Sequence, residues 1–193
     1  MLSTIVSSKA PVIIVPGLRD SGPAHWQSLW ERRLPNTVRV RQERWDDADL
    51  ERWSRRVADV LERTSPAWIV AHSFGCLASV QALAATGRAV RGVFLVAPAD
   101  PEKFRIETQL PQEPLGVKGV MVGSLTDPWL SWQKAESWAA RWKLPLLCAG
   151  TAGHINVDSG HGHWPEGWNL FQRLRTHGHT RGHAVHQLIP VAV

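Results

Sequence analysis

Ala67-Trp68-Ile69-Val70-Ala71-His72-Ser73-Phe74-Gly75 (AWIVAHSFG) is the stretch on which the fold turns. Its first five residues are apolar without polar alternation, as expected of a strand buried on both faces. Beyond Gly75 the spacing changes, and Leu77, Val80 and Leu83 recur at helical intervals. Ser73 therefore stands at a strand-to-helix corner. A helix that doubles back over its strand leaves room only for small side chains two positions before and two after such a serine. Gly75 meets the second requirement. The first position is usually glycine and is Ala71 here, still small enough for the helix to cross. A corner of this kind lifts a serine Oγ above the sheet, beside the orphan N–H groups and partial positive charge of a helix N-terminus. The alternative is that Ser73 merely caps the helix.

Further apolar runs lie on either side. Pro11 to Gly17 (PVIIVPG), Val90 to Ala97 (VRGVFLVA), Gly119 to Gly123 (GVMVG) and Leu144 to Ala149 (LPLLCA) read as strands, and Val38 to Trp45 as a more polar edge strand. Helical stripes separate them. They are Trp26, Leu29, Trp30 and Leu34; then Leu50, Trp53, Val57, Val60 and Leu61, with Asp47 or Asp49 as cap; then Trp132, Ala135, Trp138, Ala139 and Trp142. A last helix is expected from Glu166 to about Arg175. Five or six non-alternating strands joined by helix-length connections imply an α/β three-layer sandwich around a mainly parallel sheet. Residues 1–176 are expected to form one domain. Residues 177–193 (HGHTRGHAVHQLIPVAV) break the pattern and read as a His-rich C-terminal extension, with His177, His179, His183 and His186 in it.

Composition narrows the function. The 193 residues are 44% hydrophobic and 20% charged, which excludes a disordered or fibrous chain. No apolar run of about 18 residues is present, so no membrane span is expected. Cys76 and Cys148 fall in no metal-ligand or CxxC spacing and read as core residues of a reducing compartment. The first ten residues lack a basic stretch followed by an apolar one, so no signal peptide is expected and the location is read as cytoplasmic. The net charge of +5 and the 11 Trp invite a nucleic-acid reading. However, Arg32, Arg33, Arg39, Arg41, Arg44, Arg52, Arg55, Arg56 and Arg63 are scattered, several on polar helix faces, without a nucleic-acid-binding signature.

A nucleophilic serine needs a base, and the base needs an acid, expected in the order Ser, Asp or Glu, His within loops after late strands. Asp127 follows the strand ending at Gly123, and Asp100 occupies the equivalent place one strand earlier as its rival. Asp158 reads as a loop cap. His154, in Ala-Gly-Thr-Ala-Gly-His just after the last strand, is the favoured base. His161 and His163 follow in the same loop, but His154, His161 and His163 do not form a recognisable metal-ligand spacing, and no metal or other cofactor is expected. His25 and His72 read as structural. Backbone N–H groups of Phe74 and Leu18 are the expected oxyanion donors. Trp129 and Trp164, next to Asp127 and His154 in sequence, are candidate walls of an apolar substrate pocket.

The set Pro16-Gly17-Leu18, Ser21-Gly22-Pro23-x-His25-Trp26-Gln27, His72-Ser73-Phe74-Gly75, Ser124-x-x-Asp127-Pro128, Gly153-His154-Ile155-Asn156 and Trp164-Pro165-Glu166-Gly167 resembles the retinoblastoma-binding-protein/YdeN-like family of small serine hydrolases. The resemblance spans about Val12 to Leu174. It implies a minimal α/β-hydrolase fold without a large cap, a triad falling on Ser73, Asp127 and His154, and hydrolysis of small esters. No L-x-C-x-E motif occurs, so a retinoblastoma-type partner is not implied. The expectation is a serine esterase that forms an acyl-enzyme on a small-molecule ester, with neither nucleic acid nor membrane as partner. The competing class is a non-catalytic binding module on the same fold.

Overall fold

The structure, a computed structural model, describes residues 10–177, the side chain of His177 apart. Six strands form one sheet: β1 (Val12–Val15), β2 (Thr37–Arg39), β3 (Trp68–His72), β4 (Gly92–Val96), β5 (Gly119–Gly123) and β6 (Leu146–Cys148). Every pairing is parallel and the order is β2-β1-β3-β4-β5-β6. Four α-helices lie between strands, α1 (Trp26–Arg33), α2 (Leu50–Thr64), α3 (Phe74–Thr86) and α4 (Trp132–Trp142), α5 (Pro165–His177) follows β6, and β4 is joined to β5 through two short 3-10 turns.

Alternation along each strand divides the core in two. Ile13, Val15, Ile69, Ala71, Val93, Leu95 and Met121 face α2, α3 and α4, against Trp53, Leu61, Leu77 and Trp142. Val12, Ile14, Val70, Phe94, Val96 and Val120 face α1 and α5, against Trp26, Trp30 and Phe171. This double cover is why the strands read as unbroken apolar runs. The amphipathic helices are started by local caps: Asp49 accepts from Arg52 N, and Ser131 from Lys134 N.

Two strands are shorter than the sequence implies. Of the stretch from Val38 to Trp45, only Val38 and Arg39 fall in β2. Val40 N still reaches Ile14 O at 2.9 Å, after which the chain leaves the sheet edge and Trp45 O accepts from Arg19 N. The last strand contracts to β6 at the opposite edge. On α4, Trp142 is buried whereas Trp132 and Trp138 are only half-buried, and the Arg141 guanidinium lies 4.7 Å from the Trp138 ring centre. The extension expected after α5 lies outside the described residues.

The chain runs from β1 outward to β2, then returns to the other side of β1 for β3. The strand order therefore reverses between β1 and β3, where parallel sheets open a crevice at their C-terminal ends. The loop after β1 and the corner after β3 meet there.

Candidate active site

Ser73 joins β3 to α3 with φ 54° and ψ −126°, a strained conformation for a residue with a side chain. Its Oγ makes no capping bond to α3, so the helix-cap alternative fails. The crossing is tight. A Cβ on Gly75 would lie 2.3 Å from Pro16 O, so only glycine fits. Ala71, fully buried, is tolerated two residues before the serine. Phe74 opens α3, so its N–H has no intrahelical acceptor.

His154 and Asp127 arrive from the far side of the sheet. His154 Nε2 lies 2.9 Å from Ser73 Oγ, and His154 Nδ1 lies 2.9 and 3.1 Å from the two Asp127 oxygens. Asp127 Oδ1 also accepts from Trp129 N at 2.9 Å, and the Asp127 side chain is 2% exposed. The loops carrying the two residues are tied together. Ser124 Oγ accepts from Ala152 N and donates to Gly150 O, while Thr126 Oγ1 accepts from Gly153 N. The positions after β5 and β6 are thereby fixed against each other through small polar side chains.

The segment Ser21 to Gln27 is built into the same end of the sheet. Gln27, fully buried, donates through Nε2 to both Val15 O and Val70 O at 3.1 Å, bridging β1 and β3. Its Oε1 accepts from Ser21 Oγ, and its backbone N–H is capped by His25 Nδ1. Arg39 then holds Asp20, Glu31 and Ser28 Oγ. The sequence shows that these residues occur together, but Gln27 could not be singled out before the two strand ends it bridges were known. His25, 6% exposed, has its pKa pushed down to about 4, first by burial and then by Arg39 and His154. Burial likewise drives His72 well below the usual histidine range, with His154 and His25 adding to it. His72 Nε2 lies 2.9 Å from His154 O.

A cavity of about 440 Å³ opens over Ser73 and His154. Leu18, Ala99, Phe104, Trp129 and Val157 give it apolar walls, and Arg19, Asp20, Asp46 and Asp158 line its polar part. Trp129 is 44% exposed and its ring centre lies 6.1 Å from that of His154.

Not every expected residue lies here. Trp164, expected to wall the pocket, is core instead: it is 7% exposed, stacks on Trp30 at 5.9 Å and meets Trp26 at 5.2 Å. Its ring fills the space left by Gly167, where a Cβ would lie 2.3 Å from Trp164. Asp100 accepts from Lys134 Nζ at 2.7 Å and from Glu102 N, and these bonds engage it away from His154. Lys134 Nζ also donates to Glu102 Oε2 at 2.7 Å, and its bonds to the Asp100 and then the Glu102 carboxylate raise the Lys134 pKa. Asp158 does not cap its loop; Asn156 does, by accepting from Ser159 N. His161 pairs with Ser159 Oγ, and His163 lines a shallow groove beside α1 and α5. Among the described residues, no three His, Cys, Asp or Glu side chains are grouped to hold a metal. Cys76 is buried, and burial pushes its thiol far up in pKa, so it is a poor nucleophile.

The arrangement offers a half-buried hydroxyl facing a cavity, an imidazole to take its proton and a buried carboxylate to orient that imidazole. A family model described as serine hydrolase matches residues 12–173. The chain is 38% identical to a Pectobacterium atrosepticum protein described as a YdeN-like hydrolase, covering 89% of this chain and 94% of that one at a TM-score of 0.85. The ydeN gene product of B. subtilis superposes with a TM-score of 0.72 at 18% identity, over 87% of this chain and 100% of that one. An α/β-hydrolase-fold protein from Burkholderia ambifaria gives 0.63 at 15% identity, over 85% and 90%. No curated relative matches the sequence.

Proposed function

Because the chain belongs to the serine hydrolase family, as a small YdeN-like member of the α/β-hydrolase superfamily, we propose that it cleaves small acyl esters through Ser73, His154 and Asp127. The observation that carries this reading is the unbroken chain of contacts from Ser73 Oγ through His154 to Asp127 beneath an open cavity. His154 Nε2 takes the Ser73 proton as Oγ bonds to the acyl carbon. Asp127 holds the Nδ1–H tautomer and stabilises the imidazolium. Backbone N–H groups of Phe74 and Leu18 receive the oxyanion. The tetrahedral adduct collapses, the C–O bond to the alcohol breaks, and His154 returns the proton to the departing alkoxide. Water, deprotonated by His154, then attacks the acyl-enzyme. A second tetrahedral adduct forms and collapses, returning the proton to Ser73 Oγ and releasing the acid.

The cavity size and apolar walls support small or medium acyl groups. Trp129, half-exposed at the rim, is the candidate substrate contact. No helix among the described residues is long and apolar enough to cross a membrane, and the two free cysteines support a reducing, cytoplasmic setting. Many arginines are engaged in acidic pairs (Arg52 with Asp47, Arg55 with Glu51, Arg56 with Glu43, Arg88 with Glu62), which argues against a nucleic-acid groove. The test is turnover of p-nitrophenyl acetate and butyrate together with labelling by a fluorophosphonate. The intact protein turns over the esters and is labelled at Ser73, and Ser73→Ala abolishes both. Equal turnover by Ser73→Ala would return the protein to the binding-module class.

A further inference from the structure

His72 ends β3 immediately before Ser73, yet its side chain lies on the other face of the strand, against His25 and Trp26 at the start of α1, and is nine-tenths buried. Its Nε2 is 2.9 Å from the backbone oxygen of His154. A carbonyl only accepts, so Nε2 carries the hydrogen and Nδ1 is bare. The next carbonyl in the chain, Ile155 O, accepts from Trp26 Nε1 at 2.9 Å. Between these two bonds Ile155 adopts φ 48°, which a β-branched residue rarely enters and which persists only when its surroundings over-determine it.

We infer that His72 is a positioning residue, whose Nε2–H grips the His154 carbonyl and holds the imidazole in line with Ser73 Oγ. The inference rests on the hydrolytic reading above. His154 is then fixed at two points, its ring by Asp127 and its main chain by His72, and the second attachment belongs to the residue next to the nucleophile. A shift of the β3–α3 corner therefore carries the base with it.

Neutrality is part of the device. His154 becomes a cation as it takes the serine proton, and a second cation nearby would oppose that step. The His72 ring centre is 4.8 Å from that of His154 and 4.9 Å from that of His25, and Trp26 packs on it edge-on at 6.0 Å. The titratable neighbours are thus His154, with Asp127 beyond it, and His25, with Arg39 beyond that. Burial keeps His72 uncharged, so it donates without adding positive charge beside the base.

The test compares His72→Leu, which fills similar space without a donor, and His72→Gln, which returns an N–H at similar reach, against intact protein and Ser73→Ala. On p-nitrophenyl acetate His72→Leu is expected to lose about 10- to 100-fold in kcat, with KM within about twofold, as when a group supporting a reactive residue is removed. His72→Gln recovers most of that loss and leaves the pH profile of kcat/KM in place. Full kcat in His72→Leu, or equal losses in both variants, overturns the inference. If the intact protein fails to turn over the ester and resists a fluorophosphonate, the hydrolytic reading fails instead. Imidazole nitrogen shifts in the intact protein give a measurement that needs no variant. His72 is expected to be the neutral Nε2–H tautomer from pH 6.5 to pH 9, and an Nδ1–H tautomer or titration in that range overturns it.

Discussion

Gly17 and Ser73 are packed so closely that a Cβ added to Gly17 would lie 2.7 Å from Ser73 Cβ and 3.3 Å from Ser73 Oγ. The loop after β1 thus presses directly on the serine it is expected to serve with an oxyanion donor. Gly17→Ala must displace one or the other. A misplacement of about 1 Å at a reacting group costs on the order of 100-fold in rate. Gly17→Ala is therefore expected to fold, to show an unchanged circular dichroism spectrum and to lose at least about tenfold in kcat/KM on p-nitrophenyl acetate. Undiminished activity would show that the loop is free to yield.

Asp127 and Asp100 are near-equivalent in sequence and differ in what they touch. Asp127 receives the His154 ring, whereas Asp100 receives Lys134 and caps the short turn Pro101–Phe104. Asp127→Asn keeps the shape but favours the wrong imidazole tautomer, so a fall of roughly 10⁴-fold in kcat is expected. Asp100→Asn is expected to keep kcat within a few-fold while lowering the melting temperature by a few degrees. Steady-state kinetics and thermal melts on both variants separate the two roles, and an inactive Asp100→Asn would reverse them.

The rivalry between those aspartates shows how far the sequence could be read. Strand and helix identity followed from periodicity, because burial on both faces of the sheet leaves a pattern that survives without coordinates. The serine corner was legible because Gly75 and Ala71 answer a steric demand within a few residues. Direction was not legible. Trp164 lies ten residues after His154, but φ 40° at Trp164 and the bare Gly167 turn its ring into the α1–α5 core. Gln27 was hidden for a related reason. Its two acceptors, Val15 O and Val70 O, come from strands 55 residues apart in sequence that meet only at the reversal of strand order.

Stability is expected to fall on mild acidification. The His25 pKa is about 4 in the folded protein against 6.5 when free, so between these values the unfolded chain binds the extra proton. Its contribution is complete above pH 6.5 and is lost as the pH falls toward 4, amounting to roughly 3 kcal/mol. His72 acts in the same direction. Urea unfolding at pH 7 and pH 4.5 should reveal the loss. His25→Asn retains a capping acceptor for Gln27 N without a titrating group, and its stability should depend less on pH over this window. An unchanged slope would mean that His25 is not the group responsible.

Trp129 and Trp164 provide the sharpest separation of site from core. Trp129 is 44% exposed, with its backbone N–H held by Asp127 and the Lys103 ammonium 5.1 Å from its ring centre. Trimming it to alanine removes a wall of the cavity but little buried contact. Trp129→Ala should therefore change stability by less than about 1 kcal/mol, as surface substitutions do. It should raise KM several-fold for p-nitrophenyl butyrate and less for the acetate, since the longer chain has more apolar surface to lay on the ring. Trp164 is stacked against Trp30 and close to Trp26 and Phe94, so Trp164→Ala opens a cavity in the α1–α5 layer at a cost of about 3–5 kcal/mol. Its KM for both esters should stay near that of the intact protein at temperatures where the variant remains folded. Chain-length-dependent KM in Trp164→Ala, with none in Trp129→Ala, would exchange the two assignments and place the acyl chain on the α1–α5 side of Ser73.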